Sequence, residues 1–385
     1  MLIINANIIT MEEENFANGY VLSKDGIITE VGNMSDLIAI PNDEVIDLEG
    51  NTLYPGFIDA HCHLGMWENG IGFEGDDANE EYDPITPQMR AIDAVNPSDF
   101  CFSEALKAGI TTVLTGAGSA NPIAGEWVAI KTKGRRIDDM IVLKNAGMKF
   151  ALGENPKVTY SQKSQSPCTR MAVASLIREQ LDKASRYLKN IRSFENESEL
   201  SEPEYDAKCD ALVPLLQRKT KAFFHAHRTD DIFTALRISA EYNLDAVIIH
   251  ATSGHEIADI LAKEKIPVIA GPIICDRGKP ELSGLTTKNA GILSSNQVLT
   301  AICTDHPEIP IQYLPLSAGI CIANGMEYNE ALKAITINSA KICGIDDKVG
   351  SIKVGKHADF VAFDTDPLSV YAKPLFVVSG GQIER

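Results

Sequence analysis

Tyr54-Pro55-Gly56-Phe57-Ile58-Asp59-Ala60-His61-Cys62-His63 is the stretch on which the reading of this chain turns. Phe57 to Ala60 reads as a short apolar strand. Side chains alternate along a strand, so His61 and His63 project from one face. Two imidazoles on one face can grip a single metal ion, and zinc accepts imidazole nitrogen at ~2.0–2.1 Å. A bare His-x-His pair also arises between unrelated histidines. Placed after Pro-Gly and an Ile-Asp-Ala strand, it points to metal.

Upstream of this stretch the chain reads as strands without helices. Leu2 to Thr10 is apolar, Tyr20 to Ser23 and Ile27 to Val31 flank the turn Lys24-Asp25-Gly26, and Val45 to Leu48 follows. Asp-Gly accepts positive φ and so suits a hairpin. The far end mirrors this pattern in Gly350 to Lys356, Ala358 to Phe363 and Phe376 to Val378. Between the ends, strands alternate with helical periodicity, the mark of a parallel α/β barrel. The strands read as Gly109 to Leu114, Lys149 to Gly153, Ala222 to His227, Ala246 to His250, Ile266 to Ala270 and Thr300 to Asp305. Helices read over Asp99 to Lys107 and Met171 to Ile191. One strand in the middle is not identifiable. Two stretches are polar without periodicity: Glu68 to Pro87, expected over the barrel mouth, and the acidic Phe194 to Tyr205, read as a solvated connection.

In a parallel barrel the C-terminal strand ends converge on one mouth. His61, His63, Glu154, His225, His227, His250 and Asp305 fall at such ends. Any one of these histidines is most simply a hydrogen-bonded core residue. Apolar strands that end repeatedly in His or acid point together to a metal site. His225 and His227 lie on one face, and spacing alone does not decide which is the ligand.

The stretch Pro55 to His63 resembles the first-strand signature of the metal-dependent amidohydrolase superfamily. The resemblance spans nearly the whole chain. Glu154 within Leu152 to Lys157, Asn121-Pro122 and Lys279-Pro280-Glu281 are similar to a cluster of imidazolonepropionase-related members. It implies an α/β fold, a (β/α)8 TIM-type barrel over 56–344, with one small β-sandwich built from 1–55 and 345–385. It places His61, His63, His225, His250 and Asp305 on metal ligands and gives Asp305 the further task of taking a proton from the attacking water. His227 becomes a substrate contact, with Lys157, Arg228 and His255 as further candidates. Many members bridge two metals with a carbamylated fourth-strand lysine. No such lysine is evident in the sequence, so Glu154 is the expected bridge.

Deaminases of the superfamily, and imidazolonepropionase, carry a proton-shuttling acid three residues after the fifth-strand histidine. Here that position is Arg228, which cannot shuttle protons but can bind a carboxylate in bidentate fashion. The expected activity is hydrolysis of an amide, cyclic amide, N-acyl or peptide-like small molecule by one or two divalent metals per chain, zinc foremost. Imidazolone or deaminase chemistry, and a catalytically retired scaffold, are the alternatives. The formal net charge of -18 argues against nucleic acid and anionic membranes as partners. Eight cysteines without CxxC pairing, no signal peptide and no apolar run of membrane length suggest a cytoplasmic protein, possible as a homo-oligomer.

Overall fold

The computed structural model describes residues 1–38, 44–196 and 201–384. Its strands are β1 (Leu2–Ile8), β2 (Phe16–Lys24), β3 (Ile27–Asn33), β4 (Val45–Asp47), β5 (Thr52–Pro55), β6 (Phe57–Cys62), β7 (Ile110–Thr115), β8 (Ile123–Lys131), β9 (Ile141–Ala151), β10 (Lys221–Ala226), β11 (Ala246–His250), β12 (Val268–Ala270), β13 (Thr300–Ile302), β14 (Phe360–Phe363), β15 (Phe376–Ser379) and β16 (Gln382–Glu384).

Both ends of the chain meet in one sheet, ordered β16-β15-β14-β5-β1-β2-β3, with β4 added beside β1. The junction is the antiparallel pairing of Thr52–Pro55 with Phe360–Phe363. Asp25 (φ 52°) and Gly26 (φ 78°) turn the β2–β3 hairpin, as the sequence predicts. Ile3, Ile8, Val21, Leu53, Phe360 and Val378 give this sheet a core of its own. Gly350–Lys356 is not a strand. Gly350 and Gly355 adopt φ of 89° and 93°, and the Lys356 ammonium bonds back to Ser351 Oγ, so the segment turns on itself.

The second sheet is the barrel, ordered β13-β12-β11-β10-β9-β8-β7-β6. It is parallel except at β8, which runs antiparallel to both β7 and β9. This is the strand that the sequence pattern does not reveal. Only residues 116–122 separate β7 from β8, whereas a parallel crossover needs about a dozen residues or more. The chain therefore reverses instead of crossing over, and no helix announces the strand. Counting β8 makes β9 the fourth barrel strand rather than the third. The helix Arg170–Asn196 packs on the barrel through Val173, Ile177 and Leu181; residues 197–200 of the acidic stretch lie outside the described residues. Among the described residues, no helix is long and apolar enough to cross a membrane.

The barrel's first and last strands are joined, among the described residues, by contacts at the mouth rather than by a ladder. Asp305 N–H donates to His61 C=O at 3.1 Å and His63 N–H donates to His306 C=O at 2.8 Å. The wholly buried Asp59 carboxylate accepts from His61 N at 3.1 Å, from Thr304 N at 3.2 Å and from Thr304 Oγ1. Burial pushes the Asp59 carboxyl up to about 7, against the pull of these donors. Thr304→Val keeps the shape of the side chain and removes the hydroxyl donor. We expect a loss of about 1–3 kcal/mol in unfolding free energy by denaturant titration, the range for an unsatisfied buried acceptor; an unchanged midpoint would show that the carboxylate does not depend on this bond.

Candidate metal centre and active site

The apolar strand β6 delivers His61 and His63 to the mouth, and the polypeptide after β13 brings Asp305 to meet them. His61 Nε2 lies 3.0 Å from Asp305 Oδ1, and His63 Nε2 lies 3.5 Å from the same oxygen. His61 Nε2 nevertheless has no hydrogen-bond partner, so the ring and carboxylate approach without the alignment of a hydrogen bond. Burial and the Lys149 charge hold the His61 imidazole well below its usual range. Burial pushes the Asp305 carboxyl up, but His250, His61 and His63 outweigh it and leave the group well below the usual carboxylate range. His63 is oriented from behind, its Nδ1 donating to Gly116 C=O at 2.7 Å, which leaves the Nε2 lone pair facing the site.

Strands β10 and β11 supply a second group. One ligand atom from each of His225, His227 and His250 lies within 4.8 Å of the others, and His61, His250 and Asp305 form a similar group, so the two share His250. His250 Nδ1 donates to Gly271 C=O at 2.7 Å. Ser119 Oγ stands 2.9 Å from His225 Nδ1, and Thr252 Oγ1 stands 2.7 Å from His227 Nδ1. Their surroundings differ. Burial, His250, Lys279, Lys149 and Asp305 set the field at His225, whereas His225, His250, Glu281 and Lys279 act on buried His227.

Lys149 is the residue that the strand count concealed. It stands on β9, the fourth barrel strand, fully buried, with Nζ lacking any hydrogen-bond partner. Met148 and Phe150 belong to the same apolar cluster as Ile177 and Leu181 of the outer helix, so Lys149 between them, on the opposite face of the strand, points to the barrel interior. Nζ lies 4.6 Å from the centre of the Trp127 ring, and Trp127 stacks on His61 with centroids 4.6 Å apart. Burial lowers the Lys149 amine to about 7, with Asp305 opposing. A fourth-strand lysine is therefore present, and the expectation that Glu154 replaces it is corrected. Trp127 comes from the antiparallel strand and was invisible for the same reason.

The acid that meets the histidines is Glu281, not Glu154. Glu281 Oε1 lies 3.6 Å from His227 Nε2 and 3.9 Å from His225 Nε2, and forms an ion pair with Lys279 Nζ at 2.8 Å. Burial pushes this carboxyl up, but His227 and Lys279 outweigh it and hold it below the usual range. Glu154 lines the cavity and is bound to Glu281 through its backbone, Glu154 N–H donating to Glu281 Oε2 at 2.9 Å. Gly153 (φ 86°) makes this approach possible, since a Cβ there would sit 2.8 Å from Glu281 Oε2. Glu281 follows a loop with no periodicity, so the sequence offered only the Lys279-Pro280-Glu281 triplet as a signal.

His63, His225, His227, His250 and Asp305 open into a cavity of about 650 Å³ that Trp67, Asn79 and Glu81 after β6 also line, as expected of the loop that follows that strand. Lys279 is the lone Lys or Arg lining it among the described residues. Arg228 is placed elsewhere. It precedes the helix Thr229–Tyr242, half exposed, and its guanidinium grips Asp230 at 2.9 and 3.0 Å. Lys157 and His255 are partly buried and likewise do not line the cavity.

The crystal structure of an amidohydrolase from Thermotoga maritima MSB8 matches this fold with a TM-score of 0.95 and 38% identity, covering 99% of this chain and 98% of that one. The chain belongs to the amidohydrolase family. The family model itself matches residues 245–384. The amidohydrolase tasK of Hapsidospora irregularis is 31% identical over 385 residues; the alignment covers 93% of this chain but only 39% of that longer protein. The imidazolonepropionase of Phocaeicola vulgatus is 24% identical over 420 residues, 95% of this chain and 92% of that one. This amidohydrolase is accordingly an enzyme acting on carbon–nitrogen bonds.

The buried rings make the site sensitive to acid. Burial holds His250 down at about 4 against an ordinary 6.5, and His61, His225 and His227 are shifted the same way. The unfolded chain therefore binds more protons than the folded one across that window. The contribution of these rings to the stability of the chelator-treated amidohydrolase should be fully present above pH 6.5 and be lost as pH drops towards 4, outweighing the single opposing proton on Asp59. Urea midpoints across that range check this, and a flat profile would contradict it.

Proposed function

We propose that this amidohydrolase hydrolyses the C–N bond of an amide, a cyclic amide, or an N-acyl or peptide-like small molecule at a centre for two divalent metal ions. The observation that carries this reading is the buried, unpartnered Lys149 amine acting on two donor groups that share His250. His61, His63 and Asp305 would hold one ion, and His225 with His250 the other. The orphaned His61 Nε2, His225 Nε2 and Lys149 Nζ fit such occupancy, since buried polar atoms without partners call for an ion or water. Imidazole and carboxylate donors suit zinc. Carbon dioxide adding to the neutral Lys149 amine would form an N–C bond and release one proton, and the carbamate would supply further anionic oxygen donors to such a centre.

Metal ions bound here would polarise the scissile carbonyl and acidify water towards a pKa of ~7. The chain's own residues do the rest. Ionised Asp305 accepts the proton of the attacking water and returns it to the departing nitrogen. Gly116 and Gly271 carbonyls hold the His63 and His250 rings in one tautomer. His227 faces the cavity as a substrate contact. Lys279, which lines the cavity, is a better candidate than Arg228 for drawing a substrate carboxylate.

Glu281 supports a second reading. The absence of an acid at position 228 argues against ring deamination only if no other acid stands beside the histidines, and Glu281 does. A panel of N-acyl amino acids, dipeptides, hydantoins, imidazolones and amino-heterocycles separates the two by product, amine or ring-opened acid against free ammonia.

Two variants test the mechanism. Asp305→Asn keeps an oxygen donor but cannot accept a proton. We expect a folded protein that retains metal, with kcat lowered about 100-fold or more, the scale of general-base loss. Near-normal turnover with metal bound would place the base elsewhere. Lys149→Ala should lose metal and activity together, and short carboxylates such as propionate should restore both in part by supplying the missing anionic oxygens. Activity that survives without added carboxylate would remove Lys149 from the centre.

A further inference from the structure

Behind the barrel mouth lies a third group of potential ligands that the proposed reaction does not use. Asp99, Cys101 and His306 each offer one ligand atom within 4.8 Å of the other two, and all three residues are buried, at 5%, 0% and 2% exposure. None of them lines the active-site cavity.

We propose that Asp99, Cys101 and His306 form a structural metal site for a thiophilic divalent ion of zinc's class. Both ring nitrogens of His306 lack hydrogen-bond partners, and so does Asp99 Oδ2. The other Asp99 oxygen is occupied, accepting from Cys101 N–H at 3.1 Å, which fixes the carboxylate with Oδ2 free. A histidine and a carboxylate at this depth ordinarily find partners, and an unmet pair of this kind signals an ion or a bound water. The thiol favours an ion. Sulfur is a weak partner for water, but a thiolate with imidazole and carboxylate is a donor set that suits zinc. Ligation releases the Cys101 thiol proton to solvent, so thiolate and carboxylate together balance a 2+ charge. The Asn69 side chain, on the loop after β6, approaches the same thiol.

The position gives the site a purpose. His306 follows Asp305 directly, and its carbonyl accepts the His63 N–H. Cys101 opens the helix Cys101–Lys107, which packs against the outer face of β7. An ion here would tie that helix to the closure between β6 and β13, and so brace the backbone carrying His63 and Asp305.

Cobalt reads this site separately from the active centre, whose proposed ligands are nitrogen and oxygen alone. Wild-type protein loaded with Co2+ should show thiolate-to-cobalt charge-transfer absorption in the near ultraviolet. Cys101→Ala should abolish it and lower bound metal by about one equivalent per chain, one ion's worth for a single structural site. Cys275→Ala, which removes the thiol lining the active-site cavity, should leave it intact. Zinc-edge anomalous density at Asp99, Cys101 and His306 in wild-type crystals is the matching observation should Cys101→Ala fail to fold. No charge-transfer band in the wild type, a band that survives Cys101→Ala, or zinc-edge density absent from the three side chains would overturn the proposal and assign the pocket to a bridging water.

Discussion

The site depends on how the barrel closes. Its first and last strands meet through two backbone hydrogen bonds at the mouth and through the buried Asp59 carboxylate, which binds Thr304 and the His61 amide together. These bonds fall on the residues next to His61, His63 and Asp305, so the contact that closes the fold also sets the spacing of the candidate ligands. Asp305 takes a φ of 56° and His250 one of 72°, positions that non-glycine residues seldom adopt. Such backbone persists only where surrounding structure enforces it; at Asp305 the closure does so, through the bond from its amide to His61 C=O.

The second constraint is electrostatic. Five imidazoles, the buried Lys149 amine and the Glu281 and Asp305 carboxyls are packed close together at the mouth. Burial shifts His61, His225, His227, His250 and Lys149 towards their uncharged forms, while neighbouring cationic groups hold the Glu281 and Asp305 carboxyls below their usual range. Neutral donors and fixed anions facing a common space are a poor arrangement for an empty core and a good one for cations. Second partners, the Gly116 and Gly271 carbonyls and the Ser119 and Thr252 hydroxyls, orient each ring before anything binds.

Glu281 and Lys149 show how far a local reading misses a site assembled from remote pieces. Glu281 reaches the His225–His227 pair across more than fifty residues of chain, from a loop without periodicity, and its approach requires a glycine at 153. Lys149 is an ordinary residue in an apolar strand until the strand is numbered, and its number depends on β8. Arg228 illustrates the converse. Its spacing after His225 suggested a place at the site, yet spacing does not fix the direction of a long side chain, and Asp230 two residues away captures it.

By itself the sequence determined the alternation of strands and helices, the two β-rich ends, and the histidines and aspartate at the tips of apolar strands. Period-two alternation and turn chemistry are local, so they are legible in a single chain. Only the tertiary structure decided that β8 runs backwards, that Lys149 therefore stands on the fourth strand, that Glu281 and not Glu154 faces the histidines, and that Asp99, Cys101 and His306 come together. Each of those facts is a meeting of residues distant in sequence or a strand direction set by the length of a connection, and neither leaves a periodic trace in the residues themselves.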